Sequence, residues 1–216
     1  MSNKPIIVRF PPSPTGPFHV GGVRTALFNY LLAKQNNGEF LLRIEDTDKE
    51  RSKKEYEADI ISSLDWLGLT WDNKGEEWRQ SERTEIYKEK IQELIKKGSA
   101  YIAEPQEGFT EADEEKRVVR FKNPGGLIKF QDLIRDEVGM EVGDLKDFVI
   151  AKNINEPLYH LTVVVDDMMS GVTHVIRGED HISNTPRQIL ILEALGGERP
   201  IYAHLPLILA TDKSKL

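Results

Sequence analysis

The sequence has no cysteine among its 216 residues, which excludes disulfide bonds and metal sites built on thiolates. We therefore expect no zinc. No apolar run reaches membrane-spanning length, since the longest candidates, such as residues 205–210, have the length of a strand. A basic stretch followed by an apolar run, typical of a secretory signal, is also missing near the first residue. These absences favour a cytoplasmic protein with no membrane contact.

Positive charge is in the minority. The chain has 29 Lys and Arg against 36 Asp and Glu, a formal net charge of −7. Phosphate contacts usually require a basic surface, so the composition by itself argues against nucleic-acid binding. Hydrophobic residues make up 39% and charged residues 30%, which is typical of a globular protein. The length allows one domain, or one domain with an insertion.

Helices and strands alternate along much of the sequence. Capping residues such as Ser52, Ser81 and Thr185 precede apolar positions at helical spacing, and glycines follow them. This alternation predicts a parallel sheet with crossover helices, an α/β fold. Helices are predicted over residues 52–68, 81–98 and 185–196, with another after residue 19, and strands over residues 6–10, 40–44, 161–165, 174–177 and 201–209.

The middle of the chain has a different character. Residues 101–157 combine an acidic stretch at 111–115, β-like pieces at 118–121 and 148–151, and a glycine-rich turn. We expect a small α+β subdomain inserted between the two halves of the sheet, residues 1–100 and 158–216.

The loop at residues 9–22 carries the clearest chemistry. An apolar run enters a proline-stiffened loop that delivers His19, Gly21 and Gly22 to the start of a helix. The N–H groups there are unpaired and the helix dipole favours negative charge, so the loop is a candidate phosphate cradle. A lone histidine near a turn would usually have no such role, and other motifs must support the interpretation.

Several other motifs support this interpretation, and they follow one another along the chain in a family's order. With the loop motif RFPPSPTGPFHVGG, the chain resembles the catalytic domain of bacterial-type glutamyl-tRNA synthetases, which are class I aminoacyl-tRNA synthetases. The resemblance implies a Rossmann-like parallel sheet whose inserted subdomain binds the acceptor arm. The other motifs are LRIEDTDKER (42–51), RQSER (79–83), YHLTVVVDD (159–167), GVTHVIRGEDHISNTPR (171–187), HLPLIL (204–209) and KSKL (213–216).

The resemblance also implies a reaction and its partners. ATP, with Mg²⁺ in the substrate complex, activates L-glutamate to glutamyl-adenylate, and the acyl group passes to the 3′-terminal adenosine of tRNA-Glu. The substrate supplies the nucleophile, so the protein mainly positions reactants and stabilises charge on phosphate oxygens. A monomer is the state expected from the family.

Site residues follow from the same resemblance. Glutamate needs cationic partners for two carboxylates, which suits arginine, and an anionic partner for its ammonium group. Those implied for glutamate are Arg9, Ser13, Glu45, Tyr159 and Arg177. Those implied for ATP are Gly16, His19, Gly21, Gly22, Asp180, His181 and Leu207. The residues implied to be catalytic are His19, Gly21 and Lys215. Asp48 and Arg51 are candidates for tRNA contact.

For the other polar residues considered, we expect structural, packing or surface roles. Asp166 and Asp167 resemble a metal-binding pair, yet a structural role is favoured because phosphates hold most of the magnesium ion. We expect His160, His174 and His204 to be ordinary packing or surface histidines.

Two departures from the family limit the expected activity. The insert is short between Tyr101 and Val118, which puts acceptor-arm contacts in doubt. The sequence ends within the second nucleotide motif, at Lys215-Leu216. We therefore expect a catalytic-domain fragment that folds, binds glutamate or ATP, and charges tRNA poorly.

Three alternatives stay open. A short paralogue attaches glutamate to queuosine in a tRNA anticodon, but the segments 25–30 and 178–185 read closer to the synthetase. Glutaminyl-tRNA synthetase would carry Glu-Pro-Asn in place of Ser13-Pro14-Thr15. A non-catalytic binding module is the third alternative.

Overall fold

The structure is a computed structural model that describes residues 5–103, 117–143 and 145–209. Its first part is a parallel sheet with crossover helices. Strands β1, β2 and β3 lie in that order, with Ile7 opposite Glu39 and Arg43 opposite Trp78. The elements are β1 (Ile7–Phe10), α1 (Val20–Gln35), β2 (Glu39–Ile44), α2 (Lys54–Trp66), β3 (Trp78–Arg79), a 3₁₀ turn (Gln80–Glu82) and α3 (Thr84–Lys96).

The middle of the chain forms antiparallel strands. β4 (Ala100–Ile102), β5 (Val119–Phe121), β8 (Phe148–Asn153) and β9 (Glu156–Pro157) form one sheet in the order β4-β5-β8-β9. Between β5 and β8, a hairpin consists of β6 (Leu127–Asp132) and β7 (Asp136–Glu141).

The last part of the chain contributes two more parallel strands, in a second sheet. Its elements are α4 (Tyr159–Met169), β10 (His174–Gly178), a 3₁₀ turn (Glu179–Asn184), α5 (Thr185–Leu195) and β11 (Ile201–Leu205). β10 and β11 are parallel, and the hairpin strand β6 joins β11 through Tyr202 and Asp132. This sheet meets the first one where Thr173 N donates to Ile7 O at 2.9 Å and Ile7 N donates to Thr173 Oγ1 at 2.9 Å.

Two main hydrophobic clusters hold these layers together. One lies between β1, β2 and the helices α1 and α2, and it contains Phe40 and Leu64. The larger one joins α3, α4 and α5 to the antiparallel strands through Tyr87, Leu161 and Ile189. Each large side chain so buried stabilises the fold by about 1.5–3 kcal/mol.

One predicted strand is wrong. Residues 161–165 form the centre of helix α4, and residues 161–166 are all buried. The helix lies between α3, α5 and β8, so it has no polar face to reveal helical periodicity. The strand predicted to reach residue 209 ends at Leu205, and Pro206, which has no N–H to donate, follows it.

The other predicted elements are confirmed with shifted starts. α2 begins at Lys54 and has no side-chain cap, so the capping pattern at Ser52 did not mark its first residue. Ser81 lies in the 3₁₀ turn, and α3 begins at Thr84. The glycines predicted to end helices, Gly68, Gly98 and Gly196, have φ of 70°, 73° and 83°, the left-handed conformation expected after a helix. The α/β fold is confirmed, and the division at residues 100 and 157 stays a prediction.

Candidate active site

A cleft of about 290 Å³ opens at the carboxyl ends of the parallel strands. Open α/β sheets bind ligands at this edge, because the loops that follow the strands converge there. The predicted site residues that line it are Arg9, Ser13, His19, Gly21, Gly22, Glu45, Tyr159, Arg177, Asp180, His181 and Leu207.

The loop after β1 presents His19 at the N-terminus of α1. Its Nδ1 accepts the Gly21 N–H at 3.2 Å. A neutral imidazole then carries its proton on Nε2, which is left as a donor. The backbone N–H of Phe18 donates to the Asp59 carboxylate at 2.9 Å, which ties the loop to α2.

Both glycines of this motif lie close to side chains of the preceding loop. A Cβ at Gly21 would lie 3.0 Å from Cε1 of His19, and a Cβ at Gly22 would lie 2.5 Å from the Phe18 ring. Glycine therefore allows the imidazole to turn back onto the first turn of the helix.

Buried charges form the floor of the cleft. Arg9 is 2% exposed, and its Nε lies 3.1 Å from Asp167 Oδ1. Arg43 binds Asp167 Oδ1 at 2.7 Å and Glu45 Oε1 at 3.0 Å. Burial raises the pKa of Glu45, against the opposing charge of Arg43. Burial would also raise the pKa of Asp167, but the charges of Arg9 and Arg43 prevail and lower it.

Arg177 differs from these arginines because it pairs with no carboxylate among the residues that the structure describes. It is 6% exposed, and its three nitrogen atoms donate to neutral groups. Nε bonds to His204 Nε2 at 3.2 Å, Nη1 to Gln188 Oε1 at 2.7 Å and Nη2 to Thr185 Oγ1 at 2.7 Å. A buried cation without a counterion is costly, so the site favours an anionic ligand.

Tyr159 and His181 close one side of the cleft. The Tyr159 hydroxyl lies 3.1 Å from His181 Nδ1. Burial raises the pKa of Tyr159 to about 12 and lowers the pKa of His181 to about 4. Both groups are therefore neutral at pH 7 and add hydrogen-bonding capacity without charge.

Some predicted residues lie elsewhere. Gly16 does not line the cleft, and its Cβ position faces open space. Asp48 and Arg51 form an exposed ion pair, with Arg51 Nε 2.6 Å from Asp48 Oδ2, outside the cleft. Lys215 lies outside the described residues. The Leu207 N–H is already taken, because it donates to Glu179 Oε1 at 2.7 Å.

Other residues matter more than the sequence indicated. Asp167 holds Arg9 and Arg43, which fits the structural role expected for the aspartate pair. His204, expected to be a packing histidine, contacts Arg177, and so do Gln188 and Thr185. The relevant sequence signal is a polar residue within an otherwise apolar helix or strand.

Comparisons with known proteins identify the family. The model for "tRNA synthetases class I (E and Q), catalytic domain" matches residues 5–112 and 104–216. The chain belongs to this family. As a class I tRNA synthetase catalytic domain, it is 47% identical over 240 residues to the glutamate–tRNA ligase of Aquifex aeolicus, covering 96% of the chain and 50% of that protein. It is 49% identical over 230 residues to glutamate–tRNA ligase 1 of Petrotoga mobilis, covering 98% and 49%.

A solved structure shows a similar fold. The crystal structure of a glutamate tRNA ligase from Elizabethkingia meningosepticum, in complex with its amino acid, matches this synthetase domain with a TM-score of 0.88 and 34% identity. The match covers 99% of the chain and 52% of the solved one. The chain thus spans about half the length of the relatives it matches.

The described residues contain neither a candidate membrane span nor a candidate metal cluster. No helix among residues 5–103, 117–143 and 145–209 is long and apolar enough to cross a membrane. The same residues contain no group of three or more His, Cys, Asp or Glu side chains that could hold a metal ion.

Proposed function

We propose that this synthetase domain carries the glutamate-activating site of a glutamate–tRNA ligase. ATP and L-glutamate would form glutamyl-adenylate and pyrophosphate, and the acyl group would pass to the 3′-terminal adenosine of tRNA-Glu. The observation that supports this best is Arg177, a buried cation without a carboxylate partner among the described residues, in a cleft that also contains Arg9 and Glu45. A cytoplasmic, monomeric enzyme is part of the proposal.

The charges of the cleft residues suggest a binding partner for each charged group of glutamate. Arg177 would bind the side-chain carboxylate, because no acidic side chain in the described chain neutralises it. Arg9 shares Asp167 with Arg43, yet its buried Nη1 has no hydrogen-bond partner among the described residues and would bind the other carboxylate. Glu45 has one carboxylate oxygen beyond its contact with Arg43 and would accept from the ammonium group. Ser13 and Tyr159 would complete the pocket.

ATP would enter from the side of the His19 loop. An oxygen of the glutamate carboxylate attacks the α-phosphorus, and pyrophosphate leaves. His19 Nε2–H and the first N–H groups of α1 would donate to the phosphate oxygens on which charge develops. Such a donor typically lowers the barrier by roughly 3–4 kcal/mol. Asp180 and His181 would line the adenosine pocket, and Lys215 would act on the phosphates.

Magnesium would arrive with ATP as part of the substrate. Asp166 and Asp167 do not suit it as ligands, because Arg83, Arg43 and Arg9 already hold their oxygens. The triphosphate itself is the better source of ligands. Asp48 and Arg51, an exposed ion pair outside the cleft, remain the proposed contacts for tRNA.

The decisive substitution is Arg177→Ala. We expect the Kd for L-glutamate to rise by about 100-fold or more, with the Kd for ATP changing less than about threefold, because charge-assisted bonds to one carboxylate are lost. Isothermal titration calorimetry with each ligand measures both. Arg187→Ala is the matched control, since Arg187 lies on α5 and bonds to the Ser183 carbonyl outside the cleft. Equal losses for both ligands would contradict the assignment.

ATP–pyrophosphate exchange separates the remaining alternatives. Exchange that requires both glutamate and tRNA supports the ligase, whereas no exchange under any condition supports a non-catalytic binding module. Transfer of labelled glutamate to tRNA lacking its 3′ CCA end would instead support the queuosine-modifying alternative.

A further inference from the structure

A chain of buried hydrogen bonds reaches Arg177 from behind. His204 has no exposed surface, and its Nδ1 lies 2.6 Å from Asp132 Oδ2. Its Nε2 lies 3.2 Å from Arg177 Nε. Asp132 belongs to the hairpin strand β6, His204 to β11 and Arg177 to β10, so the chain of contacts crosses three neighbouring strands.

These contacts fix the tautomer of His204. Arginine has N–H donors and no acceptor, so Nε2 of His204 must accept the Arg177 Nε–H. The proton of the neutral ring is then on Nδ1, where the Asp132 carboxylate accepts it. Burial lowers the pKa of His204, against the raising effect of its hydrogen bond to Asp132, and the ring therefore stays neutral.

Asp132 is itself held in place. Its carboxylate accepts the backbone N–H of Ile134 at 2.9 Å, of Arg135 at 3.1 Å and of His204 at 3.1 Å. These backbone donors prevent rotation of the carboxylate. The orientation of the imidazole therefore follows from the turn between β6 and β7.

Three of the five N–H donors of Arg177 are already used by its neighbours. A guanidinium has five N–H groups, and His204, Gln188 and Thr185 take one each. Within the part of the chain that the structure describes, one N–H on Nη1 and one on Nη2 are left, and such a pair suits the two oxygens of a carboxylate. An amide offers one oxygen and an NH₂ donor, which would face a donor of Arg177.

We propose that His204 is a positioning residue that, as a neutral acceptor held by Asp132, orients Arg177 so that its free N–H groups select a carboxylate over an amide. The inference rests on the proposed function, since it concerns the same glutamate pocket. It assigns the preference for glutamate over glutamine to the three hydrogen-bonded residues Asp132, His204 and Arg177 together.

Two variants test this. His204→Leu removes the acceptor, and we expect the Kd for L-glutamate to rise about 10–100-fold, with L-glutamine and ATP binding changed less than about threefold. His204→Gln places an amide oxygen near the position of Nε2, and we expect it to recover most of the glutamate affinity. His174→Leu is the matched control, because His174 lies at the other end of β10 and bonds to Thr173.

NMR of ¹⁵N-labelled histidine gives an independent readout. We expect the neutral His204 ring to carry its proton on Nδ1 at pH 7 and above. An Nε2–H tautomer would overturn the proposal even if His204→Leu failed to fold. Unchanged glutamate binding in His204→Leu, or no recovery in His204→Gln, would also overturn it. Failure of the unsubstituted chain to bind glutamate would instead refute the proposed function itself.

Discussion

Two consecutive carboxylates on α4 hold largely different sets of side chains. Asp167 faces Arg9 and Arg43. Asp166 has no exposed surface and accepts hydrogen bonds from Gln80 Nε2 at 2.9 Å, Arg83 Nε at 2.9 Å and the Tyr87 hydroxyl at 2.8 Å. Asp166 therefore ties α4 to α3, and Asp167 holds the arginines of the cleft.

Asp166→Asn tests this at the residue scale. We expect the free energy of unfolding to fall by about 3–5 kcal/mol, because the substitution breaks the ion pair between fully buried Asp166 and Arg83, whose side chain is 12% exposed. Urea denaturation followed by circular dichroism measures the change. Asp65→Asn, which breaks the exposed pair with Lys74, is the control and should cost less than about 1 kcal/mol. A loss of the same size in the control would refute the argument.

At the scale of elements, local pattern predicted most of the fold. Amphipathic helices followed by glycine, such as α3 with Gly98, were recognisable because one face is apolar and the other is polar and exposed to solvent. α4 was mistaken for a strand because residues 163–165 are three valines in a segment buried on every side. β-branched residues favour strands, and here packing against α3 and α5 overrode that preference.

The contact between α2 and the His19 loop is another element-scale feature, and Asp59→Ala tests it. We expect the Kd for ATP to rise about 5–20-fold while glutamate binding changes little, because the Phe18 N–H loses its acceptor and the loop loses its anchor. Calorimetric titration of both ligands measures this. Ser62→Ala, on the exposed side of the same helix, is the control. Unchanged ATP binding in Asp59→Ala would show that α2 does not position the loop.

At the scale of the whole molecule, the site depends on contacts that no local pattern contains. The motif around Arg177 predicted an anion-binding arginine, and the loop at His19 predicted a phosphate cradle. The partner of His204 could not be predicted in this way, because Asp132 lies 72 residues away in the hairpin of β6 and β7. Pairing of that kind depends on topology, which sequence periodicity does not encode.

Stability of the whole molecule should depend on pH through its partly buried histidines. Burial lowers the pKa of His160 and of His181 from 6.5 to about 4. Between these values the unfolded chain binds more protons than the folded one, so protonation favours unfolding. The stabilisation is complete above pH 6.5 and is lost as the pH falls towards 4. Glu45 opposes this trend, since burial raises its pKa.

We therefore expect the free energy of unfolding to fall by about 2–5 kcal/mol between pH 7 and pH 4, at about 1.4 kcal/mol per unit of pKa shift. Urea denaturation at a series of pH values measures the slope. His160→Phe should flatten it, because an apolar ring replaces a histidine whose buried Nδ1 has no hydrogen-bond partner in the described structure. An identical slope in His160→Phe would exclude His160 as a source.

The hydrogen bonds between Ile7 and Thr173 join residues separated by 166 positions. Since ribosomes make the chain from its N-terminus, strand β1 emerges long before β10, and its open edge stays unpaired in the meantime. Ordering so long a loop is slow, although its entropic cost grows only with the logarithm of its length. Arg9 on β1 and Arg177 on β10 can meet in the cleft only after β10 has been made, so we expect the binding site to be among the last features of this part of the nascent protein to form.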